Sequence, residues 1–252
     1  MGTDRTTDRT VDHERAAHLL GDASGRVVRT VDGFHGDDWT APSLLPGWTR
    51  AHVVAHLALN AEGIIRVLRS IVADDEDDTD GEPAPMYDSD EARDTDIDDL
   101  AGADPSEIRD RLMAGTTILD DAIGAVPDDV WGTRVERTPG GRRIRAAAFP
   151  GMRLRELEIH HVDLDAGYTT AAWSAEFAEY LLDAMAKRVS AQDFEVRPLD
   201  SPRTWVFGSA DAEYPVPVVT GPVADVGWWL TGRPARDTLH CSHGELPPIE
   251  GW

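Results

Sequence analysis

Apolar positions in the first two thirds of the chain recur at spacings of three and four, the signature of amphipathic helices. Val11, Ala16, Leu19, Leu20, Val27, Val28 and Val31 trace one such stripe across residues 11–35. The stretch "PGWTR" (46–50) is a turn followed by Thr49, a helix N-cap, and the apolar run behind it carries a second helix to about Val72. A third is predicted over 104–126, capped by Asp104, with Pro105 in its first turn and Pro127 closing it. A fourth covers about 149–165 and stops at Gly167. Between the last two, Gly140-Gly141 in "VERTPGGRRIRAAAFP" (135–150) marks a hairpin-like turn.

Beyond residue 168 the pattern changes. Ser174 caps the helix "AEFAEYLLDAMAKRVSA", and "PVADVGWWLTGR" (222–233) reads as another helix. Between them "FEVRPL", "RTWVFG" and "YPVPVVTG" are short β-like runs, the last an edge strand because of its two prolines. The predicted fold class is α+β: a helical bundle over 1–168, then a smaller α/β domain over 169–252. Four long helices imply a bundle whose sites lie between helices.

Composition narrows the function. Forty-seven acidic against twenty-four basic residues give a net charge of -23. Such a surface repels nucleic acid and anionic membranes, so neither is expected as a partner. Cys241 is the sole cysteine, which excludes an intrachain disulfide and a cysteine-based zinc site. The N-terminal segment has no signal-peptide core and no stretch approaches a membrane span, so the expected location is cytoplasmic. Six of the seven residues in "DDEDDTD" (74–80) are acidic, and so many like charges are expected in a solvated loop.

The candidate chemistry lies in two helices. "AHVVAHLALN" (51–60) puts His52 and His56 four apart within an apolar run, and "RELEIHHVDL" (155–164) does the same with Glu156 and His160. Residues four apart share a helix face, so Glu156 and His160 form a two-point clamp. A third ligand from a facing helix completes a His/His/carboxylate set suited to zinc or another divalent transition metal with one position open. His56 is the first choice, His52 lies one turn away, and Glu158 with His161 offers a competing set. Glu-x-x-x-His also arises by chance in a charged sequence, and spacing alone leaves the matter there.

Three segments carry a resemblance. "LLPGWTRAHVVAHLALNAEG" (44–63), "PMYDSDEARDTDI" (85–97) and "RLRELEIHHVDLDAG" (153–167) resemble the mycothiol-dependent maleylpyruvate isomerases, a branch of the DinB-like metal-binding helical bundles. The likeness extends into "WWLTGR" (228–233) and "GELPPIEGW" (244–252). It implies a DinB-like four-helix bundle whose divalent metal, usually zinc, is held by His56, Glu156 and His160. His52, His161 and Asp163 are then neighbours, with Asp163 placed to fix the tautomer of His160. The resemblance also implies mycothiol as thiol cosubstrate and, as dicarboxylate substrate, maleylpyruvate of gentisate-type aromatic degradation.

The implied reaction converts maleylpyruvate to fumarylpyruvate by thiol addition, bond rotation and elimination. The thiolate is the nucleophile, and a metal with an open position lowers a bound thiol's pKa. Arginine forks match carboxylates. Arg93, the only base between Arg69 and Arg109, and Arg233 in "LTGRP" are the positions that match the family's substrate-side arginines, Arg236 being close enough to be confused with the latter. Tyr87 is a candidate proton donor. Trp48 and the Trp228-Trp229 pair fit a pocket lining or, more commonly, a core. Two rival functions share the bundle: a mycothiol S-transferase acting on another electrophile, and a non-catalytic metal-binding bundle.

Overall fold

The computed structural model describes residues 7–77, 82–188, 190, 192–209 and 215–249. The chain divides into two compact units, 1–167 and 168–252. The α+β expectation holds, with a helical first unit and strands concentrated in the second.

The first unit is built from α1 (Thr7–Asp32), α2 (Arg50–Asp77), α3 (Asp90–Ala101), α4 (Pro105–Gly124) and α5 (Phe149–Asp163). α2 is its centre: Val53, Val54, Leu57, Ala58, Ala61, Ile64, Val67 and Leu68 are fully buried. A helix apolar on nearly all sides belongs inside a bundle. Its segment Arg50–Ala73 is long and apolar enough to cross a membrane, against the expectation that no stretch is, and 78% of that window is buried by the protein itself. α4 comes close to α2 because Gly115 faces Ala61.

α3 is not announced by the hydrophobic pattern. Only Ile97 and Leu100 of its residues are buried, and Ser89 starts it by accepting from the Ala92 N–H. The acidic run departs from the expected loop, since α2 continues as helix to Asp77. The rest of that run, 78–80, lies outside the described residues. The Gly140-Gly141 turn does close a hairpin, β1 (Arg134–Glu136) against β2 (Arg143–Arg145).

The second unit holds α6 (Ala175–Ala186), α7 (Val223–Leu230) and a four-stranded sheet in the order β4-β3-β5-β6. β3 (Phe194–Val196) pairs antiparallel with β4 (Trp205–Phe207) and parallel with β5 (Val218–Thr220). β5 is therefore not the predicted edge strand, because β6 (His240–Cys241) covers its other side. Pro215 and Pro217 precede the paired residues, so neither removes a donor from the ladder. Trp228 and Trp229 are buried, and Phe194 stacks on Phe207 at 4.6 Å.

Two glycines give opposite expectations for one substitution. At Gly63 of α2 an added Cβ would lie 3.0 Å from both the Cγ and the carbonyl oxygen of Met86. That carbonyl cannot retreat easily, because Met86 and Tyr87 donate to Glu136 and Arg137 of the hairpin at 3.2 and 2.9 Å. The overpacking penalty, about 1–3 kcal/mol, outweighs the gain of about 1 kcal/mol in helix propensity. At Gly21 of α1 the same methyl meets nothing within 4 Å. Gly63→Ala should lower the urea midpoint and Gly21→Ala should raise it, the latter through a gain of about 0.4–1 kcal/mol in unfolding free energy.

Candidate metal centre

The segment leading into α2 and the end of α5 are tied through two carbonyls of the latter. Leu44 N–H donates to the Asp163 carbonyl at 2.8 Å, and Arg50 Nε donates to the Leu164 carbonyl at 2.8 Å. Thr49 occupies the N-cap position of α2, where His52 Nδ1 reaches back to its N–H at 3.3 Å and its hydroxyl at 2.7 Å. His52 thus serves the helix start, the place a Glu takes in a capping box.

One turn further in, His56 meets α5. Its Nε2 lies 2.8 Å from Glu156 Oε2, and His160 Nε2 lies 3.1 Å from the same oxygen. One donor atom from each of His56, Glu156 and His160 falls within 4.8 Å of the others, a group able to hold a metal ion. His56 and His160 are 3% and 7% exposed, so the donors face each other and not bulk water. His160 Nδ1 is 2.8 Å from Asp163 Oδ2, and Asp163 is fully buried. That contact puts the ring proton on Nδ1 and aims Nε2 at the centre.

The electrostatics fit the donor set. Burial pulls the His56 pKa down to about 4, leaving the imidazole neutral. Burial by itself would raise Glu156, but its electrostatic interactions and hydrogen bonds with the rings of His56 and His160 hold it well below the usual carboxylate range. Burial would lower His160, yet its hydrogen bonds to Asp163 and Glu156 raise it. A neutral imidazole, an ionised carboxylate and an oriented second imidazole make up a His/His/carboxylate set.

Around this centre stand Trp48, with its ring 5.8 Å from that of His56, and Arg93, whose Nη2 is 3.2 Å from His56 Nδ1. Arg93 also pairs with Asp94 at 2.7 Å and lies over the Tyr87 ring. The competing set separates from the cluster. Glu158 pairs with Arg26 of α1, and His161 Nε2 lies 2.7 Å from Thr30 Oγ1. Both face α1, because positions two and five after Glu156 fall away from the face it shares with His160. Arg233 belongs to the second unit, where it lies over Trp228 and donates to the Thr231 carbonyl at 3.1 Å. Arg236 pairs there with Asp225 at 3.3 Å.

Two polar residues near the centre escaped the sequence reading. Asn60 is 3% exposed on α2, and Arg153 is 1% exposed on α5. Arg153 Nη1 donates to the Leu57 carbonyl at 2.7 Å and to Asn60 Oδ1 at 3.0 Å. The available signal was spacing: Asn60 follows His56 by four and Arg153 precedes Glu156 by three.

No match to the chain emerges among curated protein sequences. A solved structure described as the mycothiol-dependent maleylpyruvate isomerase is similar, with a TM-score of 0.80 and 27% identity over 95% of this chain and 97% of that one. A histidine-to-alanine mutant of such an isomerase gives 0.79 at the same identity and coverage. Residues 20–165 match the family model of the mycothiol maleylpyruvate isomerase N-terminal domain. The chain belongs to that family.

Proposed function

We propose that this chain is a metal- and mycothiol-dependent cis-trans isomerase that converts maleylpyruvate to fumarylpyruvate. The observation that carries the reading is the convergence of His56, Glu156 and His160 beside Arg93 in a member of this family. These three residues would hold the divalent metal, and zinc suits two imidazoles and a carboxylate. A metal with an open position supplies the means to keep a thiol ionised near neutral pH.

The chain's own residues do the rest. Asp163 holds His160 in the ligating tautomer. His56 accepts from Arg93 at Nδ1 only while its ring proton sits on Nε2. With Nε2 given to a metal, His56 would carry its proton on Nδ1, which leaves that Arg93 donor for a substrate carboxylate. Arg93 is well suited to this, with its side chain still 22% exposed. The fork also offers positive charge to the enolate that thiol addition creates. Arg233 enters the proposal as a second carboxylate partner on the strength of the resemblance. The reading implies a cytoplasmic location, because a low-molecular-weight thiol stays reduced only in a reducing compartment.

Elemental analysis of purified protein should find about one divalent ion per chain, lost in His56→Ala and His160→Ala; metal-free wild type refutes the centre. Asp163→Asn should weaken metal affinity by about 10- to 100-fold, read by competition with a chelator. With mycothiol and maleylpyruvate, Arg93→Ala should lower kcat/KM by about 10- to 100-fold while thiol binding by calorimetry stays unchanged. Arg236→Ala, whose side chain is held by Asp225, should leave turnover intact. Unchanged kinetics in Arg93→Ala would favour an S-transferase.

A further inference from the structure

Side-chain crossings tie α2 to α5 in a fixed order. Along α2 they run Arg50, His56, Asn60, and on α5 they run back from Leu164 through Glu156 to Arg153, so the two helices are antiparallel. The candidate metal centre is the middle crossing. Toward the start of α2 stand the bonds from Leu44 and Arg50 to the end of α5. On the other side stands Arg153, whose Nη1 donates to the Leu57 carbonyl at 2.7 Å and to Asn60 Oδ1 at 3.0 Å. Asn60 lies one turn beyond His56 and Arg153 one turn before Glu156, so each shares the helix face that carries a candidate ligand. Leu57 follows His56 directly, and its carbonyl lies in the interior of α2, where the second lone pair of the oxygen is open to a side chain. Nη1 carries two hydrogens, one for each acceptor, and this fixes the plane of the guanidinium against α2.

Neither stability nor field accounts for an arginine here. Arg153 is 1% exposed, and its Nε and Nη2 find no acceptor among the described residues. Burial pulls its pKa down to about 10, which leaves it charged near neutral pH. An apolar side chain of similar volume is often neutral or better for stability than a buried charge. A cation one turn from a metal site also repels the metal. What an apolar residue lacks is the pair of directional bonds to α2.

We propose that Arg153, through Asn60 and the Leu57 carbonyl, is a positioning residue of the metal centre. It fixes the height and rotation of α2 against α5, and with them the reach of His56 Nε2 toward an ion shared with Glu156 and His160. The inference rests on the metal-centre reading and deepens it. Held only at its start, α2 would pivot there; an anchor on the far side of His56 removes that freedom. Metal–ligand distances tolerate only about 0.2 Å, so a small pivot is enough to take Nε2 out of range. Asp163 aims the His160 ring, and Arg153 does the matching task for His56 through the helix that carries it.

The test uses full-length protein and three readouts: Zn²⁺ and Co²⁺ affinity by chelator competition, the visible absorption of the Co²⁺ form, which reports coordination geometry, and the melting temperature of the metal-free form. Arg153→Met should weaken both ions by about 10- to 100-fold and change the Co²⁺ absorption, while the metal-free protein melts at or above the wild-type temperature. Asn60→Ala should act in the same direction by a smaller factor, because the bond to the Leu57 carbonyl remains. Added to Arg153→Met it should weaken the ions no further, since the two side chains act as one unit. The sign separates positioning from charge: an arginine acting only through its field would, once removed, leave the ions bound more tightly. Arg153→Met with metal affinity at or above wild type therefore overturns the proposal and leaves the metal centre standing. If Arg153→Met does not fold, Asn60→Ala decides, and a folded Asn60→Ala protein with wild-type affinity and Co²⁺ absorption overturns it. Wild type that binds neither ion overturns the proposal together with the centre on which it rests.

Discussion

The structure of the first unit depends on one largely buried carboxylate shared by two helices. Glu156 stands between two imidazoles from different helices, with its oxygen 2.8 and 3.1 Å from their Nε2 atoms. An anion withdrawn this far from water is unfavourable without partners, so α2 and α5 must stay in register for the fold to tolerate it. The hydrogen bonds from the Leu44 N–H and the Arg50 side chain to the end of α5 set that register. They use carbonyls that a helix C-terminus leaves without intrahelical partners.

Seen as stability alone, this end of the bundle is poorly chosen. His56, Asn60, Arg153, Glu158, His160, His161 and Asp163 are all buried. Well-packed apolar residues in place of buried ion pairs are often neutral or stabilising by about 1–4 kcal/mol. The buried apolar face of α2 beyond Asn60 supplies the counterweight, with Ile64, Val67 and Leu68 each contributing about 1.5–3 kcal/mol when buried. Concentrating polar groups at one end and apolar ones at the other is what a bundle with a site between its helices requires.

The segment joining α2 to α3 brings a further layer of control. Met86 packs against Gly63 on α2, the β1–β2 hairpin receives the main-chain donors of Met86 and Tyr87, and Ser89 starts α3. Arg93, on the first turns of that helix, is thereby carried to His56. Arg93 thus reaches the centre from a short helix, and the hairpin backs the segment that leads into it.

Much of this was legible in the sequence. Helix spacing, the caps at Thr49, Asp104 and Ser174, and the turn at Gly140-Gly141 are local properties, set by contacts within a few residues. Spacing also put Glu156 and His160 on one face. Choosing between His52 and His56, and between Glu156 with His160 and Glu158 with His161, took packing: His52 folds back on its own helix start, and Glu158 and His161 turn to α1. The acidic start of α3 concealed a helix, and the prolines before β5 suggested an edge that β6 covers. Asn60 and Arg153 read as ordinary polar residues because their roles exist only between helices. A sequence determines which faces each element offers; which faces meet is decided by the summed burial and pairing of all of them, and no local pattern contains that sum.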